Sequence, residues 1–139
     1  ECCCVQSIDW SIDPTYLMRS FIKQYWASVS WAIVLAVLML LPQDSFPESK
    51  LLSYDKAAHL GVFAILSFLV LWGKRKKEGN VPLKNKYRLI SLTICVVYGL
   101  VLESLQSVVP GRMTDIYDLL ANTIGAIVGV VVFSTFIRY

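Results

Sequence analysis

The sequence predicts an all-α fold, an integral membrane bundle of four transmembrane helices, and two observations carry that expectation. Of 139 residues, 56% are hydrophobic and only 17% are charged, with a mean hydropathy of +0.59. Ordinary soluble domains run at roughly 45–50% apolar and about 25% charged. A soluble fold of this length lacks the interior to hide so much apolar surface. The second observation is that the apolar residues fall in four runs. Together they exclude a disordered chain, a disulfide scaffold and most soluble enzyme folds.

The first run, residues 27–41, is apolar apart from two serines at its start, with Tyr25 and Trp26 forming an aromatic edge. The second, 57–72, contains one histidine. The third, 89–109, is interrupted late by Glu103 and Gln106, and the fourth, 116–137, carries Asp118 and Asn122 near its start. Crossing the hydrocarbon core takes roughly 20 residues, with about 17 as the lower limit. The third and fourth runs meet that directly, and the first and second meet it once their polar flanks are included.

Basic residues predict the orientation. Residues 73–88 hold Lys74, Arg75, Lys76, Lys77, Lys84, Lys86 and Arg88, seven of the thirteen Lys and Arg. Arg19 and Lys23 precede the first run and Arg138 follows the last, while the two other loops hold only Lys50, Lys56 and Arg112. That asymmetry follows the positive-inside bias and places both termini of a multi-pass membrane protein in the cytoplasm. The net charge of +3 thus reflects topology. The run 74–77 reads as a helix-end anchor or anionic-lipid contact, with no nucleic-acid partner.

Residues 1–17 differ from the rest. They begin Glu1-Cys2-Cys3-Cys4 without an initiating methionine, whereas Met18-Arg19-Ser20-Phe21-Ile22-Lys23 has the form of a natural start. The expectation is a non-native or disordered extension over 1–17 and a single membrane domain over 18–139. Cys2, Cys3 and Cys4 have no histidine partner or CxxC spacing, so no metal site is expected, and palmitoylation is the functional alternative. Cys95 falls within a run and is expected simply to pack.

Ionisable groups in membrane segments are costly, which makes each a functional candidate. They are His59, Glu103 and Asp118, with Gln106 and Asn122 as neutral companions, Asp55 and Lys56 just before the second run, and Arg112 and Asp115 in the last turn. Asp55 and His59 are spaced i, i+4, and Glu103 and Gln106 i, i+3. Asp115, Asp118, Asn122, Gly125 and Gly129 form a single helical stripe, ending in a small-residue contact motif. Counting along the helices puts Glu103 about 21 Å up a core roughly 30 Å thick. His59 and Asp118 then lie within about one turn of the opposite surface from the basic loop, and Asn122 about two turns down. All fall in one half of the membrane, which suggests a single site opening away from the cytoplasm. Structural roles compete with this reading: interfacial charges for Lys56 and Arg112, a cap for Asp115, and interhelical hydrogen bonding for Glu103 and Gln106.

Four segments carry a family resemblance: Tyr54-Asp55-Lys56-Ala57-Ala58-His59-Leu60-Gly61-Val62-Phe63, Glu103-Ser104-Leu105-Gln106, Pro110-Gly111-Arg112, and Asp115-Ile116-Tyr117-Asp118 continuing to Asn122 and Gly125. In order and spacing the chain resembles the VanZ-like family of small bacterial membrane proteins over residues 25–137. The family takes its name from a teicoplanin-resistance determinant, so the resemblance implies a setting in the cell envelope and glycopeptide resistance.

The expected function is binding of, or action on, a cell-envelope lipid or peptidoglycan-related ligand at the outward site. Lys56 and Arg112 would hold an anionic group there, Asp55, Asp115, Gln106 and Asn122 would complete the binding surface, and His59, Glu103 and Asp118 would be the catalytic candidates. A proton- or ion-coupled transporter and a non-catalytic membrane scaffold are the alternatives. No Gly-rich phosphate loop, HExxH or Gly-x-Ser-x-Gly is present, so enzyme status stays open, and the sequence names no cofactor. Membrane lipids and a second copy of the chain are the other candidate partners.

Overall fold

The computed structural model describes residues 14–40, 51–79, 83–109 and 116–137. These form four helices: α1 (Pro14–Leu40), α2 (Leu51–Lys77), α3 (Asn85–Gln106) and α4 (Ile116–Phe136). Each contains a segment long and apolar enough to cross a membrane, of 23, 22, 22 and 21 residues respectively. At 1.5 Å per residue these reach about 31–35 Å, enough for a core of roughly 30 Å. The first two spans do draw on their polar flanks, running over Met18–Leu40 and Lys56–Lys77. The first turn of α1 lies within the stretch set aside above, and α3 ends at Gln106, three residues short of the apolar run.

Local chemistry accounts for the ends. The last turn of α2 is Lys74, Arg75, Lys76 and Lys77, cations placed where the negative end of the helix dipole favours them. Lys74 pairs with Glu78 at 2.6 Å, and that bond holds the Glu78 carboxyl below the usual carboxylate range. Gly79 follows with φ 72°, a left-handed conformation that a glycine adopts without steric penalty and that stops the helix.

Side-chain pairings fix the directions of the helices. Gln24 Nε2 donates to the Gly73 carbonyl at 2.9 Å and Trp31 Nε1 to that of Val62 at 3.0 Å, so α1 and α2 are antiparallel. Ser91 Oγ donates to the Ser67 carbonyl at 3.2 Å, on antiparallel α2 and α3. His59 meets Asn122 and Ser67 meets Ala126, so α2 and α4 run parallel. Residues 73–79 and 83–88 therefore lie at one end of the bundle, with the start of α1 and the end of α4. His59, Glu103, Gln106 and Asn122 lie toward the other.

The core is built from Leu35, Met39, Phe63, Leu66, Cys95, Leu102 and Ala126. Cys95 is fully buried among them as a free thiol, a packing role as expected. The tightest pair is α2 and α4. A methyl group added at Gly125 would overlap the Leu60 carbonyl, and one at Gly129 would overlap the Ala64 carbonyl and the Ser67 hydroxyl. Glycine at both positions lets the two backbones touch, which is how membrane helices gain packing energy where lipid competes for apolar contact. Ser67 Oγ then donates across the contact to the Ala126 carbonyl at 2.9 Å.

Helix α1 is held differently. It packs on α2 and α3 and is the least buried of the four. Four side-chain to backbone hydrogen bonds stitch it down along its length: those of Gln24 and Trp31, one from Tyr98 Oη to the Ala32 carbonyl, and one from Gln106 Nε2 to the Met39 carbonyl. Facing outward, the bundle presents Ile33, Val37, Leu89, Val97, Ile124 and Val131. Such a girdle would aggregate in water and is the surface a bilayer requires.

Candidate functional site

At the end away from the basic loop, three helices converge on a buried polar chain. His59 is carried two turns into α2, Asn122 lies on the α4 face that continues into Gly125 and Gly129, and Glu103 is one turn from the end of α3. All three are buried, with 3%, 1% and 8% of their surfaces exposed. His59 Nδ1 lies 3.1 Å from Asn122 Oδ1, and Asn122 Nδ2 donates to Glu103 Oε1 over 3.4 Å. Asn122 is the bridge. Its amide oxygen accepts from the ring while its amide nitrogen donates to the carboxylate, using both halves of the group at once.

Asn122 Oδ1 can only accept, so this hydrogen bond places a proton on His59 Nδ1. An acid and an imidazole joined through an amide in a low-dielectric setting strengthen one another's hydrogen bonds. The walls are tight: Phe63 is fully buried below His59. A methyl group at Gly99 would come within 3.4 Å of the Phe63 ring and 3.5 Å of Asn122 Nδ2. Those are ordinary van der Waals distances, so an alanine would be accommodated at this position without moving α3.

Other sequence-predicted residues sit at varying distances from this chain. Lys56 Nζ lies 4.6 Å from the centroid of the Tyr117 ring, a cation–π contact joining the first turns of the α2 and α4 spans. Asp118 is half-buried in the first turn of α4, where an acid suits the positive end of the helix dipole. Gln106 is buried, and its amide donates to the Met39 carbonyl, tying α3 to α1. Asp55 lies on α2, while Arg112 and Asp115 fall outside the described residues. Among the described residues no group of three or more His, Cys, Asp or Glu is placed to hold a metal ion.

Sequence reasoning passed over the neutral participants. Ser67 and Ser91 carry no distinctive signal, because hydroxyls within apolar runs commonly satisfy themselves on their own helix. Here both bond between helices. Ser67 lies eight residues, about two turns, beyond His59, a spacing that puts the two on the same face of α2.

A family model described as VanZ/LLP1 matches residues 6–137. Comparison with curated proteins and with solved structures gives no match.

Proposed function

This chain belongs to the VanZ/LLP1 family, and from that premise we propose that it binds or acts on a cell-envelope lipid or peptidoglycan-related ligand, in support of glycopeptide (teicoplanin) tolerance. The observation that carries this reading is the buried His59–Asn122–Glu103 chain, drawn from three helices and gathered toward one end of the bundle. Burying an acid and an imidazole in a membrane segment is expensive, and hydrogen bonds to neutral groups would fasten the helices at less expense.

In this reading the bundle sits with the basic loop and both termini in the cytoplasm, in keeping with the bias of Lys and Arg. The His59 end then opens toward the outer leaflet. Lys56, beside Tyr117, and Arg112 would meet the anionic part of the ligand, Arg112 with bidentate geometry. His59 would take or share a proton of the ligand, and Glu103, through Asn122, would stabilise the resulting imidazolium. Asp55, Asp115 and Asp118 would set the balance of charge at the mouth.

The test is tolerance to teicoplanin in cells carrying the chain, its His59→Ala, Glu103→Gln and Arg112→Ala variants, or none, with the amount of membrane-inserted protein measured in each. The reading expects tolerance to fall to the level of cells without the chain in all three variants at unchanged protein level. Full tolerance in His59→Ala and Arg112→Ala at normal abundance refutes it. Proton flux into proteoliposomes that is lost in Glu103→Gln would instead support a transporter.

A further inference from the structure

A second feature lies at the opposite end of the bundle and does not depend on the polar chain. Because α1 is tied to α3 by widely spaced hydrogen bonds rather than close packing, a cleft of about 300 Å³ opens between α1, α2 and α3. That is the lower end of the roughly 300–1,000 Å³ typical of small-molecule sites. On α1 its lining extends from Phe21 to Ala32, eleven residues or about 16 Å at 1.5 Å per residue. That length is about half of a 30 Å hydrocarbon core, or one leaflet.

The lining is graded along this length. Tyr25, Lys74 and Tyr87 stand at the end beside the basic loop, whereas Ala32, Leu66 and Ile94 line the deep end. Lys74 Nζ and Lys86 Nζ lie 4.3 Å and 5.0 Å from the centroid of the Tyr87 ring, so two ammonium groups gather on one ring that lines the cleft. Residues 73–88 carry seven cations against the single acid Glu78. One turn deeper than Tyr25, Ser28 is 6% exposed, and its hydroxyl has no hydrogen-bond partner among the described residues. Serines on membrane helices ordinarily bond their own backbone or a neighbour. A buried hydroxyl left unpaired in a cleft is a donor awaiting an acceptor.

A ligand for this cleft has an anionic head, a carbonyl acceptor just below it and a single apolar tail one leaflet long. We infer that the cleft binds one acyl chain of an anionic phospholipid. The headgroup rests against Lys74 and Lys86, an ester carbonyl accepts from Ser28, and the tail lies along Val29, Ile90 and Ile94. A flexible chain fits because the deep lining is aliphatic, and the cluster of cations favours a negative headgroup over a zwitterionic one.

The experiment uses the full chain in phosphatidylcholine nanodiscs containing a trace of phosphatidylglycerol with a photoreactive diazirine in its acyl tail. Adducts are mapped by mass spectrometry. The expected result is adducts concentrated on Val29, Ile90 and Ile94, competed by unlabelled phosphatidylglycerol and not by additional phosphatidylcholine. Lys74→Gln with Lys86→Gln should weaken retention about 30-fold, equivalent to about 1 kcal/mol for each basic residue lost. Ser28→Phe should remove the cleft adducts by filling the space. Adducts spread evenly over the outward face of α4 at Ile124 and Val131, or equal competition by both lipids, overturn the inference. So does an absence of adducts on Val29, Ile90 and Ile94. Mapping and competition on the unaltered chain decide the matter even where a variant fails to fold.

Discussion

Replacing Gly125 by alanine sets the smallest possible side chain against the tightest contact in the bundle. Besides meeting the Leu60 carbonyl oxygen, the new methyl would lie 2.9 Å from the Leu60 carbonyl carbon and Cα. Carbon atoms pack without strain at about 3.5–4.0 Å, so the backbones of α2 and α4 must separate by at least about 0.6 Å. The obstacle is main chain and cannot rotate away. Overpacking of this kind costs about 1–3 kcal/mol. The same separation stretches the 3.1 Å bond between His59 and Asn122, one turn above, worth about 0.6 kcal/mol in a membrane protein. Alanine returns at most about 1 kcal/mol through its better helix propensity. The net expectation is a loss of about 2 kcal/mol, close to a 30-fold shift toward the unfolded state. Unfolding in mixed micelles by increasing SDS fraction, followed by circular dichroism, measures it. Gly61→Ala is the internal control, because nothing lies within 4 Å of its added methyl. If Gly125→Ala unfolds at the same SDS fraction as Gly61→Ala, the close α2–α4 contact is wrong.

Other outcomes follow from the same geometry. A double-mutant cycle of His59→Ala and Asn122→Ala should give a coupling of about 0.6 kcal/mol and no more than about 1.7 in SDS unfolding, and zero coupling would deny their hydrogen bond. Trp31→Phe and Gln106→Leu should each destabilise by about 0.6 kcal/mol, and their effects should add, since they tether α1 at separate points. With Cys2, Cys3 and Cys4 replaced by serine, Cys95 should resist maleimide in the folded protein and label once SDS unfolds it. Rapid labelling before unfolding would contradict its burial.

The spans were legible because apolar runs of membrane length leave few other readings, and the convergence of His59 with Asn122 was legible from depth and direction. Rotation about each helix axis was not. Glu103 and Gln106 are three residues apart and so differ by about 60° around α3. That angle turns Glu103 toward Asn122 on α4 and Gln106 toward Met39 on α1, so a spacing that grouped the two as one face divides between two neighbours. The stripe of Asn122, Gly125 and Gly129 was visible as small and polar residues at helical spacing. Its counterpart on α2, the backbone at Leu60 and Ala64, has no sequence signal, because any residue presents a carbonyl. The position of α1 was equally hidden. Trp31 and Tyr98 look like ordinary interfacial or core aromatics until the carbonyls that accept from them are known.

The parallel pairing of α2 with α4 also imposes an order on biogenesis. The residues of α2 are synthesised before those of α3, yet the partners of His59 and Ser67 lie on α4. Between Lys77 and Phe136 the ribosome adds about 60 residues, which takes about 3–12 s at 5–20 residues per second. Throughout that interval the α4 partners of His59 and Ser67 do not yet exist, although the Ser67 hydroxyl can still donate to the Ala64 carbonyl of its own helix. A message truncated after α3 would therefore yield a three-helix fragment with polar groups facing lipid, a natural substrate for membrane proteolysis, although every span in it is sufficiently apolar to insert.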